Sequence, residues 1–141
     1  MHRIVKIIDF CYGHRLLEHP GKCLHLHGHN GRVEVTVAAE RLDPRGMVAD
    51  FADLKGDVKG WIDENLDHKM LLHRGDPLVH LLKEAGEPVF VMDSHPTAEA
   101  IARLIFDTAR AMGWNVSEVK LFETPSSVAV HTDPDGGRAA G

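Results

Sequence analysis

The segment His29–Ala39, HNGRVEVTVAA, alternates without a break: Val33, Val35 and Val37 fall on one side, Arg32, Glu34 and Thr36 on the other. Only a half-buried β-strand has that two-residue period, because successive side chains of an extended chain point to opposite faces. The register runs backwards into histidines, since His25, His27 and His29 share the parity of the buried valines. A strand that carries imidazoles on its core-facing side is a strong constraint on any fold built around it.

A partner for this strand precedes it. In RIVKIIDFCY, Ile4, Ile8, Phe10 and Tyr12 fall on one side of a second two-residue pattern, and His14 continues it. Pro20 and Gly21 lie in the connection, which suits an antiparallel pair. After Asp50, a capping residue, the period changes to three and four: Phe51, Leu54, Val58, Trp61 or Ile62, and Leu66 form one helical stripe. Residues 67–95 are mixed, with a short helix expected over 77–85 and a short extended piece in PVFVM. Thr97 is expected to cap a second long helix with Ile101, Leu104, Ile105, Thr108 and Met112 inward, and Gly113 ends it. Two strands follow, 116–123 and 127–131. The expected layout is α+β, an antiparallel four-stranded sheet with two long helices on one face, in the order ββααββ, as one domain over 1–133 with a disordered tail over 134–141.

Composition narrows the function classes. The 141 residues suit one domain, and apolar and charged contents of 43% and 26% are ordinary for a globular chain. No run approaches the roughly 20 apolar residues that span a bilayer, and the N-terminus lacks the apolar core of a signal peptide, so a cytoplasmic protein without membrane partners is expected. A net charge of −5 with no basic run argues against nucleic acid as a partner. Two cysteines, Cys11 and Cys23, are expected as free thiols. Eleven histidines are far more than a chain this long usually carries.

Residues two apart on a strand share a face, so His27 and His29 can converge on one ion while Gly28 between them lets backbone approach. His14 on the neighbouring strand supplies a third nitrogen. Three imidazoles leave a tetrahedral zinc ion one open position, the mark of a catalytic rather than a structural site. Spacing alone does not choose among His25, His27 and His29. Cys23 is equally a fourth ligand or a thiolate beside the ion with a lowered pKa. On the last strands, Glu123 shares a face with Val119 and Leu121, so a carboxylate is presented among apolar residues and requires a partner.

CLHLHGHN matches a Cys-x-x-x-His-Gly-His motif, and FCYGHRL, GMVADFADLK, LDH, HPTAEA and LFET fall in the same order as blocks of one family. On these residues the chain resembles the 6-pyruvoyl- and 6-carboxy-tetrahydropterin synthases over most of its length. The resemblance implies the tunnelling fold, in which subunits join sheets into a barrel, commonly as homohexamers with active sites at subunit interfaces. It implies His14, His27 and His29 as zinc ligands, leaving His25 out, and Cys23 with the Asp67–His68 pair as the proton-transferring groups. Glu123 would grip the guanidinium-like edge of a pterin, with Thr97 and Glu99 lining its pocket. Lys22 and Arg15 flank the motif and are the candidates for the substrate triphosphate.

The implied activity is a zinc-dependent lyase acting on 7,8-dihydroneopterin triphosphate. The favoured product is 6-carboxy-5,6,7,8-tetrahydropterin, with acetaldehyde and triphosphate released on the route to queuosine and other 7-deazapurines. The alternatives are 6-pyruvoyl-tetrahydropterin formation on the same scaffold and, from another class, a non-catalytic zinc-stabilised binding module. A variant subfamily that cleaves to the 6-hydroxymethyl pterin has glutamate where Cys23 stands. LDHKMLLHRGDPLVHLLKEAGEP departs from the family pattern, lacking its asparagine after the Asp-His pair and running longer to the Pro-Thr block, which bears on the substrate mouth.

Overall fold

The computed structural model describes residues 1–134. Its framework is a single mixed sheet of six strands in the order β4-β3-β1-β2-β5-β6. Two long strands form the centre, β1 (His2–His14) and β2 (His27–Ala39), paired antiparallel from His2 opposite Ala39 to His14 opposite His27. β5 (Val116–Thr124) adds antiparallel to β2, and β6 (Ser127–Thr132) to β5. Ile8, Phe10, Tyr12 and His14 of β1 and Val33, Val35 and Val37 of β2 are buried as the alternation implies, and Val5 and Ile7 face outward, whereas the far end of β2 is covered on both faces, Thr36 and Ala38 being buried as well.

The four-stranded antiparallel sheet and the ββααββ order need correction. β3 (Lys69–His73) pairs parallel to β1 over Tyr12–His14, and β4 (Val89–Met92) pairs parallel to β3. Leu71 and Leu72 explain why alternation missed β3. Both are fully buried, Leu71 in the main core and Leu72 outside that cluster, so β3 is covered on both faces and reads as a short apolar run. The crossover from β3 to β4 is α3 (Leu78–Glu84), the short helix expected there. The tail expected from 134 onward lies, beyond Pro134, outside the described residues.

The helix after Asp50 starts as expected, with the Asp50 carboxylate accepting from the Ala52 N–H at 2.8 Å. It runs as α1 (Phe51–Leu54), a π-helical segment (Lys55–Lys59) and α2 (Gly60–Asn65). Leu54, Val58, Ile62 and Leu66 are all at most 2% exposed, while Phe51 at the expected head of the stripe is 51% exposed. Their strict four-residue spacing overshoots a 3.6-residue turn by about 40° each time. A wider π turn recovers part of that drift and holds the stripe over the sheet.

The last helix, α4 (Ala98–Ala111), has Thr97 as its N-cap, the hydroxyl accepting from the Ala100 N–H at 3.1 Å. Its inward face is Ile101, Ala102, Ile105, Phe106 and Ala109, whereas the expected Met112 lies at the C-cap, 39% exposed. The stripe is rotated because the small Ala102 and Ala109 let the helix lie close to β5 and β6. Gly113 follows with φ 98°, the left-handed conformation that ends a helix cheaply only with glycine. No helix among the described residues is long and apolar enough to cross a membrane.

Two outcomes follow from this framework. Gly60 is helical, with φ −56° and ψ −45°, and a Cβ there would meet nothing within 4 Å. Gly60→Ala is therefore expected to stabilise the protein by about 0.5–1 kcal/mol in denaturant titrations. The second concerns Asp76, 3% exposed, whose carboxylate accepts from Nε and one terminal nitrogen of Arg15 at 2.7 and 2.5 Å. The Arg15 hydrogen bonds, against the opposing pull of burial, hold the Asp76 carboxyl below the usual carboxylate range. A depressed native pKa contributes stability that is complete above the unfolded value of about 4 and disappears as pH falls through the native one. Acid titration of unfolding should show a loss below about pH 4 that is smaller in Asp76→Asn.

Candidate metal centre

His14 closes β1 and His27 opens β2 directly opposite it, while His29 lies two residues on along the same face. The register alone therefore brings three rings together, with centroids 4.5 Å apart for His14 and His27, 5.1 Å for His14 and His29, and 5.2 Å for His27 and His29. One nitrogen of each lies within 4.8 Å of the others, so the three can hold a metal ion between them. Among the described residues this is the group with that geometry, and it contains neither Cys23 nor His25. The choice that spacing left open is made by the turn before β2: exposed His25 contributes its carbonyl oxygen, which accepts from the Nδ1 of His27 at 2.7 Å.

The same device orients His14, whose Nδ1 donates to the Pro96 carbonyl at 2.7 Å. A carbonyl can only accept, so Nδ1 carries the proton in both rings and Nε2 is left with its lone pair. Outer hydrogen bonds of this kind fix tautomer and ring orientation in metal-binding histidines. The Nε2 atoms of His14 and His29 are buried with no hydrogen-bond partner, a costly state for a polar atom unless a cation completes it. The donor set fits zinc, for which three neutral imidazoles are a common ligand set. Burial is the largest influence on His14 and lowers its pKa, with His27 and His29 acting the same way and Pro96 and Glu123 opposing.

Two glycines make the packing possible. A Cβ at Gly28 would stand 3.0 Å from the Tyr12 carbonyl oxygen, and one at Gly31 would stand 2.9 Å from the Tyr12 ring. Tyr12 uses that space to lie edge-on to His14 and tilted to His29, at 5.3 and 5.7 Å. Burial and the neighbouring Glu123 carboxylate push its phenol well above the ordinary value, so it stays protonated.

Glu123 occupies an irregularity of the β5–β6 ladder, where pairing shifts between Phe122 and Thr124. Such bulges re-aim side chains. Its carboxylate oxygens stand 3.9 Å from Nε2 of His14 and of His29, with the side chain 26% exposed. Glu123, Thr97 and Glu99 line one cavity of about 370 Å3 together with Leu16, Ser127 and Val128.

The remaining residues lie elsewhere. Asp67 and His68 follow α2 and are tied to β1 at Cys11: Asp67 accepts from the Cys11 N–H at 2.9 Å and the His68 N–H donates to the Cys11 carbonyl at 2.6 Å. His68 has φ 57° and donates from Nδ1 to Asp67 at 2.8 Å. Burial raises the Asp67 pKa, but the Cys11 N–H and the His68 ring outweigh it and hold the carboxyl below its ordinary range. His68 lines a different, largely apolar cavity of about 500 Å3, which His27 of the triad also borders, with Cys11, Met70, Leu82 and Pro88. Cys23 sits half-buried in a 3-10 turn (Lys22–Leu24), with its carbonyl accepting from the Leu16 N–H at 2.8 Å, and Lys22 is exposed. Arg15 is committed to Asp76 rather than turned to solvent for a phosphate. Sequence reading missed the Pro96 carbonyl and Asp76, for which no local pattern exists because each acts across more than sixty residues.

A family model described as 6-pyruvoyl tetrahydropterin synthase matches residues 3–134. The chain belongs to the 6-pyruvoyl tetrahydropterin synthase family. Within it, a relative from Rickettsia bellii named 6-carboxy-5,6,7,8-tetrahydropterin synthase is 38% identical over 133 residues, covering 89% of this chain and 96% of its own. One of the same name from Haemophilus influenzae is 33% identical, covering 90% and 96%. An uncharacterised protein of Wolinella succinogenes superposes with a TM-score of 0.79 at 31% identity, covering 94% of this chain and 98% of its own. The 6-pyruvoyl tetrahydropterin synthase of Caenorhabditis elegans shares the fold, with a TM-score of 0.70 at 24% identity over 94% and 95% of the two chains.

Zinc added to metal-free protein is expected to bind at one equivalent per chain, and His29→Ala to reduce that stoichiometry sharply, read by titration against a chromophoric chelator.

Proposed function

We propose that this chain is a zinc-dependent 6-carboxy-5,6,7,8-tetrahydropterin synthase, converting 7,8-dihydroneopterin triphosphate and one water into 6-carboxy-5,6,7,8-tetrahydropterin, triphosphate and acetaldehyde. The observation that carries the reading is the convergence of His14, His27 and His29, with two buried Nε2 atoms unpartnered, in a chain whose relatives bear that name. Zinc, when bound, supplies Lewis-acid polarisation of the substrate's side-chain hydroxyls.

The protein's residues supply the rest. Glu123 accepts two parallel hydrogen bonds from the pterin 2-amino group and ring N–H, and Thr97 and Glu99 complete that wall. Lys22 faces the triphosphate. The Cys23 thiolate takes and returns a proton at the side-chain carbons. His68, oriented by its Nδ1 bond to Asp67, exchanges the other proton through Nε2. His68 is exposed and lines a cavity different from that of Glu123, which favours a homo-oligomer, a hexamer in this reading, whose active sites assemble between subunits. A cytoplasmic place on the queuosine route, without nucleic-acid or membrane partners, completes the proposal.

The test is product analysis. Zinc-loaded protein incubated with 7,8-dihydroneopterin triphosphate should yield 6-carboxy-tetrahydropterin and trapped acetaldehyde. A 6-pyruvoyl product would move the assignment to the alternative synthase, and absence of turnover by folded, zinc-loaded protein would leave a binding module. Cys23→Ala should lower kcat by about 10²–10⁴-fold while keeping zinc.

A further inference from the structure

The turn from His73 to Asp76, between β3 and α3, belongs to none of the functional blocks of the sequence. It is nonetheless tightly built. The His73 Nδ1 accepts from the Gly75 N–H at 2.9 Å, the His73 carbonyl from the Asp76 N–H at 2.9 Å, and the Asp76 carboxylate from the Leu78 N–H at 2.9 Å. From this turn two side chains reach in different directions, Asp76 to Arg15, the neighbour of His14, and His73 to His95, the neighbour of the Pro96 carbonyl that meets the His14 ring.

Asp76 grips Arg15, the residue after His14, through two hydrogen bonds at 2.7 and 2.5 Å. Its side chain is 1% exposed, so the carboxylate gives up its hydration to the guanidinium. Such a pair adds little net stability, whereas the planar guanidinium fork fixes direction. What it fixes is the end of β1. His73 stacks on His95, with centroids 4.5 Å apart and planes at 24°. The His95 carbonyl accepts from the Thr97 N–H at 2.8 Å, and between them the Pro96 carbonyl receives the Nδ1 of His14 at 2.7 Å. The backbone beside His14 and the acceptor of its ring thus both lean on one turn.

We propose that the His73–Asp76 turn positions His14 for metal binding, with Asp76 acting through Arg15 on the backbone and His73 acting through the His95–Thr97 turn on the ring. This rests on the reading of His14, His27 and His29 as metal ligands. Residues that orient a ligand in this way commonly govern 10–100-fold in metal affinity.

The experiment measures zinc dissociation constants by chelator competition, and cobalt absorption spectra, for full-length wild type, Asp76→Asn, His73→Ala, His73→Phe and His14→Ala, each checked for folding by circular dichroism without metal. Asp76→Asn and His73→Ala should each weaken zinc binding by about tenfold or more and alter the cobalt spectrum, and His73→Phe, which keeps a stacked ring, should recover most of the loss. A purely structural role would lower metal-free thermal midpoints and leave wild-type affinity and spectra, which overturns the inference. Should Asp76→Asn fail to fold, the two His73 variants decide it. If wild type takes up no zinc, or His14→Ala takes it up as tightly, the ligand reading falls and this inference with it.

Discussion

The antiparallel register of β1 against β2 is the constraint from which the candidate site derives. With His14 opposite His27 and His29 two residues further, three imidazoles reach one point without a loop having to place any of them. A slip of one residue would turn the whole histidine set to the outer face. The buried valines and aromatic residues of the same strands prevent that slip, because they would be expelled from the core together with the histidines. Hydrophobic packing thus enforces the geometry of the polar site.

The site is then refined by backbone rather than by further side chains. Carbonyls of His25 and Pro96 set the tautomers of His27 and His14, and glycines at 28 and 31 create room for a backbone oxygen and an aromatic ring. Carbonyl acceptors leave no signature in a sequence, because every residue has one. That explains why parity gave three candidates, whereas the fold starts β2 at His27, brings His27 and His29 to His14, and leaves His25 in the preceding turn with its carbonyl on the His27 ring.

Legibility followed the physical origin of each feature. The central hairpin, the stripe Leu54–Val58–Ile62–Leu66 and the Thr97 cap were readable because solvent exposure alternates along them or because a hydroxyl caps an adjacent N–H. β4 was legible only as a short extended piece in PVFVM, and β3 was not, since a strand covered on both faces shows no alternation. The rotation of α4 depends on alanines, which are apolar enough to be buried yet too small to declare a face. The histidine triad was readable as a set, whereas Asp76 became intelligible only when the fold brought it to Arg15.

Asp67 and His68 hang from the main chain of Cys11, three residues before His14 on the same strand. An odd separation on a pleated strand changes face, and three residues span roughly 10 Å. Within one chain, the spacing between the Cys11 backbone that anchors Asp67 and His68 and the backbone of His14 is therefore set by the rise of an extended strand, the stiffest length a polypeptide offers. One inserted residue between Cys11 and His14 would lengthen that interval and turn the His14 ring to the opposite face of β1.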